Sequence, residues 1–227
     1  MTIHVWRKVI GLAEKIERTT LAEKAYQQLR AGLASATFGP GEVLKIRSLA
    51  DQYGISPTPI REALQRLVAE NALKAQANRS FSVPILTRTR FEEIITMRMA
   101  LEPIASRQGM VALKKRDIRE LDLLTEDMYK AIKKSDVRIY LEGNRQFHFI
   151  IYEKSESPLL LGVIKDLWVL AAPYFIHLFA EAAYVEQCND WHRRISRAIK
   201  DGNADAMAKG ICDDISAARD TLLKHMD

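Results

Sequence analysis

The sequence predicts a mainly α-helical protein: an N-terminal winged helix-turn-helix with a small β-hairpin wing, then a C-terminal antiparallel bundle of about six helices. Two observations carry this prediction. Residues 45–81 have the pattern of two short helices joined by a tight glycine turn and followed by a hairpin. After Thr89, apolar residues recur at helical spacing up to the C-terminus, with no strand pattern. We therefore expect two domains, residues 1–86 and residues 87–227.

One helix is predicted ahead of the glycine turn, from Thr19 or Thr20 to about residue 37. Its apolar residues lie on one face, and the helix is ended by FGPG at 38–41. Residues 1–19 contain a short amphipathic pattern, which fits either a flexible arm or a segment that packs on the second domain. That pattern consists of Val5, Val9, Leu12 and Ile16.

The helix-turn-helix is defined by local signals around Gly54. Residues 47–53 form a short amphipathic helix, and Gly54 ends it because glycine readily adopts the positive φ of a helix C-terminus. Ser56 is a favoured N-cap, and Pro57 takes the first position of the next helix, where a missing N–H costs nothing. The apolar side of that second helix consists of Ile60, Ala63, Leu64, Leu67 and Val68. Its polar side consists of Thr58, Arg61, Gln65 and Arg66.

A small hairpin is predicted after the second helix. Residues 72–75 and 80–84 flank the polar turn 76–79, which carries Arg79 at its tip. Pro84 ends the second strand and leads into the connection between the two domains.

The bundle is predicted to begin at a capping box. Thr89 and Glu92 have the T-x-x-E spacing in which each side chain satisfies a free backbone N–H of the other residue. Pro103 and Pro173 lie inside predicted helices, and each should kink its helix. Short connections make neighbouring helices antiparallel. The six helices are predicted at residues 90–113, 115–134, 137–154, 158–180, 183–200 and 204–224.

The composition excludes several classes of protein. Of the 227 residues, 48% are hydrophobic and 28% are charged, which supports a packed core and argues against disorder. Cys188 and Cys212 give no disulfide framework, so we expect a cytoplasmic protein. The N-terminus has no uninterrupted apolar stretch of signal-peptide length. Residues 158–180 are apolar but interrupted by Lys165 and Asp166, so a buried helix explains them better than a membrane span.

The positive charge of the chain lies in its N-terminal part. Residues 1–88 contain 13 basic and 7 acidic side chains, a net charge of +6, whereas the remaining residues contain 21 basic and 22 acidic ones, a net charge of −1. Taken alone, this asymmetry also fits chance clustering. Beside a helix-turn-helix, it indicates a basic module that faces DNA, joined to a neutral module.

The chain resembles the GntR family of bacterial transcription regulators, in its FadR-like branch with a helical FCD effector domain. The N-terminal resemblance is carried by AYQQLR at 25–30, FGPGEVL at 38–44 and RSLADQYGISPTPIREALQRL at 47–67. The C-terminal resemblance is carried by MRMALEP at 97–103, NRQFH at 144–148 and WHRRISRAIKDGN at 191–203. The family usually has glycine where Ser80 stands and often arginine where Pro57 stands, so the wing turn and one base contact are expected to differ here.

Arg61 is the candidate base contact. Affinity for DNA comes mainly from phosphates, whereas sequence choice comes from base edges, and arginine pairs bidentately with guanine. Arg61 lies on the polar side of the second helix, near its N-terminus. The alternative is that Arg61 is a solvated charge paired with Asp51 or Glu62.

Further DNA contacts are expected around Arg61. Arg47 matches an arginine with which the family contacts DNA. Ser56 and Thr58 are expected to bind phosphates at the N-terminus of the second helix, where the helix dipole favours anions. Asn78 and Arg79 are expected to reach the minor groove or the backbone from the wing.

The resemblance implies a site for a divalent metal, formed by one aspartate and three histidines inside the bundle. Here Asn144 stands at the aspartate position, His148 and His192 at two histidine positions, and Asp214 at the third. Two imidazoles, a carboxylate and an amide oxygen suit Zn, Ni or Mn. The alternative is a pair of hydrogen-bonded core histidines. Cys188 is either a further ligand or a small packing residue.

The resemblance also implies a small organic acid as effector. Arg98, which the family pattern turns inward, would pair with its carboxylate. Alternatively, Arg98 is a surface charge or a structural partner of Glu102, four residues later on the same helix.

Three functions compete at this point. The first is a ligand-responsive transcription regulator, in the commoner mode a repressor, which binds a pseudo-palindromic DNA operator as a homodimer. The second is a metalloenzyme that uses His148, His192 and Asp214 to activate water, which leaves the helix-turn-helix unexplained. The third is an architectural DNA-binding protein with a metal-free bundle. We expect the first, because it accounts for both halves of the chain.

Overall fold

The computed structural model describes residues 20–76 and 80–226, whose helices and strands enclose two hydrophobic cores. The smaller core lies in an N-terminal unit, residues 20–83, which we call the head. The larger core lies in the helical bundle, residues 88–225. The amphipathic pattern predicted in residues 1–19 falls outside the described residues, as do Asn78 and Arg79 of the predicted wing.

The head combines three helices with a small sheet. The strands are antiparallel in the order β1-β3-β2, and Phe81 of β3 lies opposite both Leu44 and Ala75. The hairpin of β2 and β3 was predicted, whereas β1 was not. The elements of the head are α1 Leu21–Ala34, β1 Val43–Lys45, α2 Ile46–Tyr53, α3 Pro57–Ala69, β2 Lys74–Gln76 and β3 Ser80–Ser82.

Two boundaries in the head differ from the prediction. The helix α1 begins after Thr20, whose hydroxyl accepts a hydrogen bond from the Glu23 N–H at 3.1 Å, but it ends at Ala34 rather than near residue 37. It stops there because Ala36 adopts a left-handed φ of 55°. The first hairpin strand also begins later than residue 72, because Asn71 turns the chain with a φ of 59° and buries the next two side chains in the head core.

The bundle contains the six predicted helices within the described residues. They are α4 Arg88–Met110, α5 Lys115–Lys133, α6 Val137–Tyr152, α7 Pro158–Ala171, α8 Ala182–Lys200 and α9 Ala204–Leu222. Short 3-10 helices extend three of them, at Glu153–Ser155, Ala172–Ala180 and Leu223–His225.

The predicted start of the bundle is wrong by two residues. Thr87, not Thr89, caps α4: its backbone is extended and its hydroxyl accepts a hydrogen bond from the Arg90 N–H at 3.3 Å. The helix α4 continues through Pro103 to its end. At Pro173 the chain instead changes from the α-helix α7 to a nine-residue 3-10 helix.

Among the described residues, one segment is long and apolar enough to cross a membrane by length and composition, Pro158–Ala180. Half of its most apolar 18-residue stretch is buried inside the protein, and core helices pass the same test. Leu167 and Trp168 lie in the bundle core. We therefore interpret this segment as a core element of the bundle.

The head rests on α7 and the 3-10 helix that follows it. Val169 of α7 belongs to the hydrophobic core of the head. Arg30 of α1 forms an ion pair with Asp166, and the Tyr174 hydroxyl lies 3.2 Å from the Pro84 carbonyl oxygen. The same hydroxyl accepts a hydrogen bond from the Leu86 N–H, so the connection between the two units is also fixed to this segment.

The helices α4 and α6 approach closely at Gly109. A Cβ atom at this position would lie 2.1 Å from the carbonyl oxygen of Ile151, far inside van der Waals contact. Only glycine therefore lets the two backbones reach this distance, which sets the position of the C-terminal end of α6.

We predict that Gly109→Ala destabilises the protein by about 1–3 kcal/mol or more, because the backbones must separate. The control is Gly162→Ala on α7, where a Cβ meets no atom within 4 Å. That change should stabilise the helix by about 0.5–1 kcal/mol. Urea denaturation of both variants checks the prediction, and equal midpoints for the two would contradict it.

Candidate functional site

The helix-turn-helix presents a polar surface because its apolar residues are used inside the head. Gly54 takes φ 64° and ψ 32° and lets α3 begin three residues later, at Pro57. Ile60, Leu64 and Leu67 of α3 are completely buried. The opposite side of α3, which carries Thr58 and Gln65, faces solvent.

Arg47 and Arg61 line one groove of about 580 Å³ between β1, α2 and α3. Lys45 also lines it, and none of its lining residues is acidic. A neighbouring groove of about 310 Å³ shares Arg61 and adds Gln65 and Gln76. Two of the three arginines that were predicted to contact DNA, Arg47 and Arg61, therefore lie together in a basic groove at the start of α3.

Arg61 forms no ion pair with any residue of the described ranges, so the expected alternative of a pair with Asp51 or Glu62 is not observed. Arg66, on the same helix, is the opposite case. It lies 2.6 Å from a Glu23 carboxylate oxygen and 3.3 Å from one of Glu70, and it stacks on the Tyr26 ring. Arg61 is therefore available to bind a ligand, whereas Arg66 already stabilises the head through its ion pairs and its contact with Tyr26.

Ser56 and Thr58 are exposed at the N-terminus of α3. Ser56 is the N-cap residue, as predicted, but its side chain accepts no capping hydrogen bond. Its exposed hydroxyl therefore remains available at the positive end of the helix dipole.

A second candidate site is a polar cluster inside the bundle. His148 of α6, His192 of α8 and Asp214 of α9 place one potential ligand atom each within 4.8 Å of one another, and all three are buried. Asp214 Oδ2 lies 3.2 Å from His148 Nε2. Asn144, one turn before His148, places its Oδ1 2.9 Å from His192 Nε2. The four residues that the sequence grouped thus meet at one point.

The chemistry of this donor set fits a cation. Nδ1 of His192 lies 3.2 Å from the Cys188 carbonyl oxygen, which can only accept, so Nδ1 carries the hydrogen and Nε2 presents its electron pair to the Asn144 oxygen. His148 has the same arrangement, with Nδ1 turned to the Tyr152 hydroxyl and Nε2 to Asp214. The electron pairs of the two Nε2 atoms and of the Asn144 and Asp214 oxygens therefore point toward one another. Metal sites have the same arrangement, because their histidine ligands donate the other ring N–H to groups outside the site.

The charges of the cluster are compatible with that fit. Burial lowers the pKa of His192 to about 4, although the Asp214 carboxylate opposes this change, so the imidazole is neutral at neutral pH. For Asp214, burial raises the pKa, but the adjacent His148 and His192 side chains and the nearby Arg98 outweigh it, so the pKa lies below its ordinary value. Asp214 is therefore ionised.

Cys188 does not have the properties of a ligand. Burial raises the pKa of its thiol to about 11, so it is protonated at neutral pH, whereas metals bind the thiolate. Its sulfur lies 3.4 Å from the Val185 carbonyl oxygen, within its own helix. This geometry favours the interpretation of Cys188 as a packing residue.

A cavity of about 20 Å³ adjoins the cluster, lined by Arg98, Tyr140, Asn144 and Asp214 among others. It has room for a water molecule or an ion, but not for an organic acid of several carbons. The Tyr140 hydroxyl is buried and forms no hydrogen bond to a nitrogen or oxygen atom of the described residues.

Arg98 lines this cavity but is already paired. It is 3% exposed, and its Nε donates to Glu102 Oε1 at 2.6 Å. Its guanidinium carbon lies 4.5 Å from the Trp168 ring centroid. The expected alternative of a surface charge is therefore wrong, whereas the alternative of a partner for Glu102 is observed.

Sequence reasoning missed Lys45, Tyr152 and Trp168. Lys45 belongs to β1, whose three residues are too few to show a strand pattern. Tyr152 follows His148 by four residues, a helical spacing that would have placed it on the same face. Nothing in the sequence links Trp168 to Glu102, 66 positions away, where its indole N–H donates at 2.9 Å.

A winged helix-turn-helix head on a helical bundle with a buried polar cluster defines a class of DNA-binding regulators. The family model described as "Bacterial regulatory proteins, gntR family" matches residues 21–83, and the one described as "FCD domain" matches residues 93–225. The chain belongs to the GntR family, and its bundle is an FCD domain. It is a transcription regulator, so the expected alternative of a metalloenzyme is not supported.

Individual relatives agree with this assignment. The HTH-type transcriptional regulator McbR of Escherichia coli (strain K12) is 34% identical over 165 residues, which cover 73% of this chain and 75% of that protein. The solved structure of E. coli McbR/YncC has a TM-score of 0.84 and 28% identity, covering 92% of this chain and 99% of that chain. The gluconate operon transcriptional repressor of Bacillus licheniformis is 25% identical over 203 residues, 86% of this chain and 82% of that protein.

Proposed function

We propose that this regulator is a cytoplasmic, homodimeric repressor whose operator affinity responds to a small organic acid. Residues 1–86 would bind DNA, and residues 87–227 would bind the effector and form the dimer. The observation that carries the proposal is the basic groove in which Arg47 and Arg61 lie without acidic partners among the described residues. The names of relatives such as the gluconate operon repressor support repression.

In this proposal the start of α3 enters the major groove of DNA. Arg61 reads a guanine, and Arg47 contacts DNA from the same groove of the head. Ser56 and Thr58 bind phosphates at the N-terminus of α3. Asn78 and Arg79, which lie outside the described residues, are expected to add wing contacts on sequence grounds alone.

A divalent metal, Zn, Ni or Mn, would be held by Asn144, His148, His192 and Asp214. The inward electron pairs of the two imidazoles and the ionised Asp214 support this part of the proposal. When bound, the metal would supply positive charge next to the cavity, which attracts a carboxylate. Arg98 and Tyr140 line the same cavity and would bind the acid after the cavity widens.

The segment that follows Pro158 would transmit this widening to the head. Trp168 and Phe175 line the cavity, whereas Val169 and Tyr174, on the same segment, contact the head and its connection. A ligand that displaces the segment thus changes the position of the head, and an effector can shift operator affinity only through such a difference between two states.

We predict that Arg61→Ala weakens specific operator binding about 5- to 150-fold, which corresponds to the loss of about 1–3 kcal/mol for one bidentate base contact. The operator is obtained by selection from random duplexes with the wild-type protein, and affinities are measured by gel shift. The matched control is Arg66→Ala on the same helix. It should leave operator affinity unchanged, because Arg66 is held by Glu23 and Glu70. Wild-type affinity in folded Arg61→Ala protein would refute the assignment.

We predict that protein purified without chelators and without a nickel column contains about one divalent ion per chain, and that His148→Ala and His192→Ala lose it because each removes an imidazole ligand. Elemental analysis measures the content. His177→Ala is the control, since His177 is exposed on the 3-10 helix after α7. Wild-type protein that takes up no Zn, Ni or Mn, even when these are added, would disprove the metal site.

A further inference from the structure

Tyr152 connects His148 to Glu102, although neither Tyr152 nor Glu102 is a candidate ligand. The Tyr152 hydroxyl oxygen lies 3.0 Å from Nδ1 of His148 and 2.6 Å from Oε2 of Glu102. All three side chains are buried, so water does not substitute for these contacts.

The hydrogen positions in the series His148, Tyr152 and Glu102 follow from the partners of Glu102. Its carboxylate accepts hydrogen bonds from Nε of Arg98 at 2.6 Å and from the indole N–H of Trp168 at 2.9 Å. A carboxylate paired with a guanidinium is ionised and can only accept. The one hydroxyl hydrogen of Tyr152 therefore points to Glu102. Its oxygen is left as an acceptor, so Nδ1 of His148 must carry a hydrogen.

The direction from donor to acceptor, His148 to Tyr152 to Glu102, is therefore fixed by the pairing of Glu102 with Arg98 and Trp168, which lie outside the group of candidate ligands.

We propose that Tyr152 and Glu102 are positioning residues of the cation site: they hold His148 as the Nδ1–H tautomer and direct Nε2 toward Asp214. Arg98 and Trp168 keep Glu102 in place from the other side. The inference rests on the proposed metal site. It gives Arg98 a role in ordering His148, in addition to the effector contact proposed for it.

The test is the affinity of Tyr152→Phe for Zn²⁺, measured by competition with a chromophoric chelator. The aromatic ring is kept and only the hydroxyl is lost. The dissociation constant should rise about 10- to 100-fold, the usual effect of removing a group that orients a histidine ligand. The matched control is Tyr26→Phe, which removes a tyrosine–carboxylate hydrogen bond of 2.8 Å in the head and should leave the affinity unchanged.

A spectroscopic measurement separates positioning from a general loss of stability. In wild-type protein with ¹⁵N-labelled histidine and bound Zn²⁺, His148 should carry its hydrogen on Nδ1. In zinc-free Tyr152→Phe, its signals should shift toward a mixture of tautomers. A hydrogen on Nε2 in the zinc-bound wild type would overturn the inference, even if the variant fails to fold.

The remaining outcomes distinguish this inference from the proposal on which it rests. Unchanged Zn²⁺ affinity in folded Tyr152→Phe refutes the positioning role and leaves the metal site intact. Wild-type protein that binds none of Zn²⁺, Ni²⁺ and Mn²⁺ refutes the metal site, and the inference with it. Operator binding by gel shift tests the DNA-binding proposal independently of both.

Discussion

The buried ion pair of Arg98 and Glu102 is the interaction on which the bundle depends. Burying two charges is costly, and removing one partner of such a pair typically costs about 3–5 kcal/mol. Here the cost is offset because Glu102, with no exposed surface, also accepts hydrogen bonds from Trp168 and Tyr152. Three helices, α4, α6 and α7, therefore meet at one carboxylate. The orientation of His148, and with it the polar cluster, depends on that meeting point.

Arginine has two opposite roles in this protein. Arg98 and Arg66 are engaged by carboxylates and aromatic rings, and they hold helices in place. Arg47 and Arg61 have no such partners within the described ranges, and they share a groove without acidic residues. A paired arginine would have to give up its carboxylate before it could bind DNA, whereas the unpaired ones bear no such cost. The pairing pattern, more than the total charge, distinguishes the side of the head that we propose faces DNA.

The sequence predicted those features that depend on neighbours in the chain. Gly54 and Pro57 act within one turn, so the helix-turn-helix and the outward face of Arg61 could be read directly. The strand β1 could not, because its three residues are defined by pairing with β3, almost forty positions later. Thr89, with Glu92 three residues later, offers the better capping pattern, yet the path of the preceding chain selects Thr87. The same limit applies to the bundle: the family resemblance grouped the four polar residues, but the Trp168 contact with Glu102 exists only in the folded protein.

Val169 links the packing of the bundle to the packing of the head. It is a residue of the bundle, yet it fills part of the hydrophobic core of the head. The head separated from the bundle would therefore expose an apolar opening to water. A substitution that repacks α7 around Val169 therefore also alters the packing of that core. Changes in the head and changes in α7 are thus constrained together in this chain, and a head exchanged between relatives would need a partner helix with a matching side chain.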